Sequence, residues 1–132
     1  MTKPEITKEM LVCKCCGKEA TNQILSYINA INIMCRTDLS KLITSGRRCE
    51  KHNEEIGGAP HSLHLSGMAV DIHCKLQIDR FDILSAIFRH NELFEGRNGS
   101  GSRIFLEIGD AHLHIGILGD NEQSAAAWCR SK

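Results

Sequence analysis

The spacing of apolar residues predicts two amphipathic helices. From Asn22 to Met34, apolar side chains recur at steps of three and four residues, the period of a helix with one buried face, and Thr21 precedes them as a candidate N-cap. The same spacing over residues 79–94 predicts a second helix that packs through Phe81, Leu84, Ile87 and Phe88. Each helix is therefore expected to cover one face of a sheet.

Alternating polar and apolar residues predict the strands of that sheet. Residues 41–45 form a short candidate, and residues 68–74 form a second in which Asp71 and His73 lie on one face and the larger apolar side chains on the other. Residues 46–66 show no periodicity and are rich in Gly, Ser, His, Asn and charge, which predicts a long loop. A loop of that length in a compact domain is usually functional.

Two more strand candidates, residues 103–108 and 111–118, are predicted to form a β-hairpin. The Gly-Asp pair between them suits a tight two-residue turn. A turn at that pair places Glu107 opposite His112, and the alternation of the strands puts both on one face with His114. Two imidazoles and a carboxylate on one face of a sheet indicate either mutual pairing or a bound metal.

The length of the chain and the order of its elements predict the fold class. The 132 residues suffice for one domain with a hydrophobic core. No repeat or linker divides them, so we predict a single domain over residues 1–132. The elements predict an α+β fold with a mostly antiparallel sheet, helices on one face and the chemistry-bearing side chains on the other.

The charge balance limits the partners. Lys and Arg number 16 and so do Asp and Glu, and only 5% of the residues are aromatic. We therefore expect no nucleic-acid and no membrane partner, and we expect a monomer. A cysteine-rich zinc module that binds nucleic acid is disfavoured for the same reason. The first ten residues carry charge and no apolar run, so we expect synthesis in the cytoplasm without a signal peptide.

The 7 cysteines and 7 histidines make metal binding the leading hypothesis for the chemistry. His64 and Asp71, together with one histidine of the pair His112 and His114, supply three ligands. Three protein ligands are typical of a catalytic zinc site, whereas a structural zinc site is closed by four. The odd number of cysteines disfavours a fully paired disulfide framework.

A pattern that runs from about Cys13 to Ile117 is most specific in the middle of the chain. Its segments there are Ser45-Gly46-Arg47-Arg48-Cys49, Asn53, Gly57-Gly58-Ala59, and residues 62–71, which read Ser-x-His-x-x-Gly-x-Ala-x-Asp. The pattern resembles that of the zinc D-Ala-D-Ala carboxypeptidases. These are peptidoglycan peptidases that include L-alanyl-D-glutamate peptidases and share the hedgehog and D-Ala-D-Ala dipeptidase fold.

The resemblance implies roles for individual residues. It implies a zinc ion bound by His64, Asp71 and His114. It also implies that Arg48 acts in catalysis by meeting a substrate carboxylate, for which the fork of a guanidinium is suited. Ser62 is expected to help orient the substrate.

Several residues are candidates for the general base. Related peptidases often carry a carboxylate three residues before the last histidine ligand, where this chain has Ala111, and an Asp two residues after it, where this chain has Gly116. Glu107 is the predicted base, because its strand resembles a family variant and the hairpin sets it beside His112. Asp110 is the rival, and His112 is expected to donate a proton or to stabilise the developing oxyanion.

The cysteines suggest a second metal site. Cys13 and Cys16 form a Cys-x-x-Cys-Gly segment, and Cys49 and His52 form Cys-x-x-His. This spacing is typical of a structural zinc site with four ligands. The alternative is that the thiols are reduced and pack as small apolar groups.

The resemblance implies a zinc peptidase that hydrolyses a peptide bond involving a D-amino acid in the peptide stem of bacterial peptidoglycan. We expect a phage or prophage endolysin that acts on the cell wall after release, with one catalytic zinc and a candidate structural zinc. The alternative is a non-catalytic zinc-containing module of the same fold that binds cell wall or protein.

Overall fold

The structure is a computed structural model that describes residues 3–93 and 103–118. In chain order its helices and strands are α1 (Asn22–Met34), β1 (Ile43–Ser45), α2 (Glu50–Glu55), β2 (Ala69–His73), α3 (Gln77–Leu93), β3 (Arg103–Ile108) and β4 (His112–Leu118). One-turn 3₁₀ helices occupy Lys8–Leu11, Leu39–Lys41 and Leu63–Ser66. The glycine-rich stretch 96–101 and Cys129 lie outside the described residues.

The four strands form one antiparallel sheet in the order β1-β2-β4-β3. Strand β4 is therefore central and pairs with both β2 and β3. Its residue His114 lies opposite Asp71 on β2 and opposite Glu107 on β3. The predicted α+β class with a mostly antiparallel sheet is confirmed, and three polar side chains share one face at the middle of the sheet.

The predicted register of the β3–β4 hairpin is wrong by two residues. Ile108 pairs with Leu113, and the Gly109 N–H donates to the His112 carbonyl oxygen at 2.9 Å, so Asp110 and the residue after it form the turn. Gly109 lies just outside the turn and leaves room for the His112 ring, with which a Cβ there would collide. Because the shift is even, every side chain keeps its predicted face and only its partner changes.

The core lies between the sheet and the two long helices. Helix α1 begins as predicted, with the Thr21 hydroxyl accepting a hydrogen bond from the Ile24 N–H at 3.2 Å. The fully buried side chains include Ile24, Ile28 and Ile31 of α1, Ile83 and Ile87 of α3, and Val70, Ile72, Leu106, Leu113 and Ile115 of the sheet. These strand residues alternate with the polar residues of the opposite face, so the core and the polar site use opposite sides of the same strands.

Helix α3 is rotated about its axis relative to the prediction: Ile87 is buried and Leu84 packs against the core as predicted, but Phe81 and Phe88 do not. Phe81 is 66% exposed and Phe88 is 46% exposed, whereas the buried residues are Ile83, Ala86, Ile87, His90 and Asn91. Both sets obey helical spacing, so periodicity alone left the rotation of the helix about its axis undetermined.

The predicted loop over residues 46–66 contains two short helices. One is α2, which begins where the Cys49 sulfur accepts a hydrogen bond from the His52 N–H at 3.4 Å. The other is the Leu63–Ser66 turn. Neither is long enough to show an apolar period, and their side chains contact the polar face of the sheet and not the core.

The assignment of the α3 face predicts a difference between two substitutions. Ile87→Ala, at a side chain with 0% exposure, should lower the free energy of unfolding by about 2–5 kcal/mol through the cavity it leaves. Phe81→Ala, at the exposed face, should change it by about 0.5 kcal/mol or less. Urea unfolding followed by circular dichroism measures both, and equal losses would contradict the assigned face.

Candidate metal centre

Three side chains from separate segments bring their donor atoms together on the polar face of the sheet. The Nδ1 atom of His114 lies 2.8 Å from Oδ1 of Asp71, and the Nε2 atom of His64 lies 3.2 Å from the same oxygen. All three donor atoms lie within 4.8 Å of one another. The group is the one that the sequence predicts as the zinc ligands.

The sequence around His64 explains how that side chain reaches the sheet. The Ser62 hydroxyl accepts a hydrogen bond from the His64 N–H at 3.1 Å and starts the Leu63–Ser66 turn, and Gly67 ends it with a φ of +74°. The turn packs directly on β4, where a Cβ at Gly116 would lie 2.6 Å from the Leu63 side chain. A side chain at residue 116 would therefore displace the end of the Leu63 side chain.

A backbone hydrogen bond determines which nitrogen of His64 is available. The Nδ1 atom lies 2.6 Å from the carbonyl oxygen of Gly46. Because a carbonyl oxygen only accepts, Nδ1 donates there and Nε2 is the nitrogen that faces Asp71. His64 is 1% exposed, and Nε2 is buried without a hydrogen-bond partner beside a carboxylate oxygen. A buried imidazole nitrogen that faces a carboxylate oxygen without a hydrogen bond between them is a position that a cation fits.

Zinc fits this set of donors. A tetrahedral zinc ion with bonds of about 2.0–2.1 Å to nitrogen and oxygen separates its ligand atoms by about 3.3 Å. The separations from Asp71 Oδ1, 2.8 Å to His114 and 3.2 Å to His64, are close to that spacing. Two imidazoles and one carboxylate would leave the fourth position of the metal for water or substrate, as a catalytic site needs.

Asp71 is held as an anion by its neighbours. Burial raises the pKa of its carboxyl, but the hydrogen bond from His114 and the adjacent His64 ring outweigh burial and hold the pKa well below its usual range. The second oxygen, Oδ2, accepts a hydrogen bond from Nη2 of Arg48 at 3.2 Å. The carboxylate is thus ionised at neutral pH, as a metal ligand must be.

Arg48 lies beside Asp71, one of the three candidate metal ligands. Its side chain is buried, with Nη1 donating to Asn53 Oδ1 at 2.8 Å and Nε donating to Ser45 Oγ at 3.2 Å. A Cβ at Gly58 would collide with Asn53 and lie 2.7 Å from Nη1, which explains the glycine in the Gly-Gly-Ala segment. Arg48 therefore orients Asp71, and its contact with a substrate carboxylate stays a prediction. The Ser62 hydroxyl caps the His64 turn, and its contact with substrate stays a prediction too.

Sequence reasoning missed Asn53 and Gly46 as functional residues. Asn53 fixes Arg48 and also donates to the Ala59 carbonyl at 2.9 Å, and Gly46 supplies the acceptor for His64. The signal for Asn53 was its place within the family-like segments. Gly46 acts through its backbone carbonyl, to which no side-chain pattern points.

The candidate general base and the other histidine lie around the group of three. Glu107 is half-buried and is the direct strand partner of His114, not of His112. His112 is exposed, lies opposite His73, and turns its ring over Gly109. Asp110 is exposed in the hairpin turn. The structure therefore brings Glu107, and not Asp110, to the strand pair that carries a donor atom.

A second group of candidate ligands consists of cysteines. The sulfur atoms of Cys13, Cys16 and Cys49 lie within 4.8 Å of one another. The ring of His52, which the sequence predicts as the fourth ligand, is not part of this group. Three of the four predicted residues are thus together.

The chain carries a His-Asp-His group on the polar face of an antiparallel sheet. Comparison with known families assigns it to a class of zinc peptidases. The chain matches the Peptidase M15 family over residues 4–106 and belongs to it. It is thus a zinc metallopeptidase of the peptidoglycan-related type. The match contains His64 and Asp71 and ends one residue before Glu107.

Searches of the curated proteins and of the solved structures found no match to the chain. Across residues 3–93 and 103–118, none of the helices combines the length and the apolar character needed to cross a bilayer.

Two histidines on the same face of β4 give a matched test of the ligand set. His114→Ala should lower zinc affinity by more than the roughly 10–100-fold that loss of a ligand's hydrogen-bond partner costs. His112→Ala, two residues away, should leave zinc affinity unchanged because its ring points to the hairpin turn. Isothermal titration of metal-stripped protein with zinc measures both. Equal losses in the two variants would rule out the ligand set.

Proposed function

We propose that this zinc peptidase hydrolyses a peptide bond involving a D-amino acid in the peptide stem of bacterial peptidoglycan. The observation that carries the proposal is the buried Nε2 of His64, left without a hydrogen bond beside Asp71 and His114 in a chain of the M15 family. The resemblance of residues 45–71 to enzymes that cleave next to D-alanine or D-glutamate supports the choice of substrate.

In the proposed site His64, Asp71 and His114 would hold the zinc ion. A zinc ion there would supply Lewis-acid polarisation of the scissile carbonyl and a lowered pKa for the attacking water. Gly46 and Arg48 keep His64 and Asp71 in the protonation states and orientations that binding needs.

Glu107 is the proposed general base. It shares a face with Asp71 and is the strand partner of His114, and directly opposed residues in an antiparallel pair have Cβ atoms about 4.5–5.5 Å apart. Its carboxylate would take a proton from the attacking water and pass it to the leaving amine. An exposed carboxylate in a turn, such as Asp110, is more often solvated.

The remaining predicted residues would act on the substrate. His112 lies on the same face one pair along β4, where its imidazole could donate to the developing oxyanion. The contacts of Arg48 with Ser45, Asn53 and Asp71 use three of its five N–H groups, which leaves donors for a substrate carboxylate. Ser62 begins the turn that carries His64, which places it two residues from a candidate zinc ligand.

The biological setting that we propose is degradation of the cell wall by a phage or prophage endolysin. The resemblance of residues 45–71 to peptidoglycan peptidases supports this setting. Loss of turbidity of permeabilised cells on addition of the protein would support it, and intact walls after prolonged exposure would contradict it.

Substitution of the two candidate bases tests the mechanism. Zinc-loaded protein should release new amino termini from purified peptidoglycan, and Glu107→Gln should lower kcat about 10²–10⁴-fold while retaining zinc, because it removes proton transfer and not a ligand. Asp110→Asn should keep activity and serves as the matched control. A coupled assay for amino groups measures the rate, and metal analysis measures zinc.

The same assay separates the alternatives. An active Glu107→Gln variant beside an inactive Asp110→Asn variant would move the base to Asp110. No release by fully zinc-loaded protein would overturn the enzyme and favour a non-catalytic module. Synthetic stem peptides that differ in the chirality of one residue test the D-amino acid, and equal rates on all-L peptide would contradict it.

A further inference from the structure

The segment that carries Cys13 and Cys16 is a tight turn closed by its own backbone. The Gly17 N–H donates to the Cys13 carbonyl oxygen at 2.8 Å, and the Cys13 N–H donates to the Lys18 carbonyl oxygen at 2.8 Å. Gly17 has a φ of +78°, which only glycine adopts readily. The turn fixes the backbone between the two cysteines and brings their sulfur atoms to the same side.

The third cysteine comes from the start of a helix. Cys49 is the N-cap of α2, and its N–H donates to the sulfur of Cys13 at 3.3 Å, while the His52 N–H donates to the sulfur of Cys49. The Cys13 side chain is 1% exposed. A turn and a helix N-terminus, far apart in sequence, thus place three sulfur atoms within 4.8 Å of one another.

Backbone N–H groups surround the sulfur of Cys13. The N–H groups of Cys15, Cys16 and Cys49 are directed at it, the last at 3.3 Å. N–H groups directed at sulfur stabilise the deprotonated form, which is the form that binds metal. Reduced cysteines that merely fill space need no such donors, so these contacts argue against the packing alternative.

We propose that Cys13, Cys16 and Cys49 bind a structural zinc ion, with His52 as the fourth ligand. A tetrahedral zinc ion with bonds to sulfur of about 2.3 Å separates its sulfur ligands by about 3.8 Å, so the three sulfur atoms need little movement. Cys49 and His52 are three residues apart in the first turn of α2 and lie on one face of it. Rotation of the half-buried His52 side chain closes the site.

Cys15 is the competing fourth ligand. Its exposed thiol forms a hydrogen bond with Cys49 and, like the ring of His52, lies outside the group of three sulfur atoms. It also lies inside the turn, directly before Cys16, and neighbouring residues rarely present their side chains to the same point.

The site would hold the segment that orients the candidate catalytic ligands. Arg48, directly before Cys49, bonds to Asp71 through its side chain, and its N–H donates to the His64 carbonyl oxygen at 3.0 Å. The Arg47 N–H donates to the Leu11 carbonyl oxygen at 2.8 Å, next to the cysteine turn. Zinc bound to the cysteines would therefore fix residues 46–49 against residues 11–18. The proposal rests on the cysteine geometry and does not depend on peptidase activity.

The experiment compares zinc content and the spectrum of cobalt-substituted full-length protein. Wild-type protein should hold about two zinc ions, one in each four-coordinate site, and cobalt should give a thiolate-to-metal charge-transfer band in the near ultraviolet. Cys16→Ser and Cys49→Ser should lose one zinc ion and the band, and His52→Ala should lose intensity from the band. Cys74→Ser, at a buried cysteine outside the group, should lose neither.

His64→Ala separates this site from the candidate catalytic site. It should lose one zinc ion but keep the full thiolate band, even if the Cys16 and Cys49 variants fail to fold. Absence of the band in both wild-type protein and His64→Ala would overturn the proposal, as would a disulfide among the three cysteines in freshly purified protein. Loss of the band in Cys15→Ser but not in His52→Ala would overturn the assignment of the fourth ligand.

Discussion

The hydrogen bond between His64 Nδ1 and the Gly46 carbonyl oxygen is the interaction on which the site depends. It uses the Nδ1 atom as a donor, so the Nε2 atom is the one that faces Asp71. The bond exists because residue 46 has no side chain: a Cβ there would lie 2.5 Å from the Leu11 carbonyl oxygen. The close packing of the backbone at Gly46 against Leu11 therefore determines which nitrogen of His64 faces Asp71.

The sheet supplies the rest of the geometry. Asp71 and His114 are neighbours across the β2–β4 ladder, and Glu107 continues the row on β3. The two carboxylate oxygens of Asp71 have different partners: Oδ1 faces the two histidines and Oδ2 accepts a hydrogen bond from Arg48. A buried carboxylate with partners on both oxygens is held in one orientation, which preorganises the ligand before metal binds. The hydrophobic core on the opposite face keeps the strands in register.

The sequence predicts correctly those parts of the structure that depend on residues close together in the chain. The Thr21 cap, the strand around Asp71 and the union of His64, Asp71 and His114 follow from alternation and from the family-like segment. The register of the β3–β4 hairpin does not follow from local pattern. A turn at Gly109-Asp110 and a turn one residue later give the same alternation of faces and differ only in which residues pair across the strands. The face of α3 does not follow either, because two stripes of the helix are apolar. Contacts made by Gly46 and Asn53 depend on tertiary packing, for which periodicity has no signal.

The three candidate ligands differ in how firmly the backbone holds them. Asp71 and His114 belong to adjacent inner strands with ladder bonds on both sides, whereas His64 belongs to a single turn closed by the Ser62 hydroxyl and Gly67. Local opening is cheapest where the fewest backbone bonds must break. The ion would therefore exchange with solution through a transient release of His64, on the timescale of a loop and without unfolding the sheet.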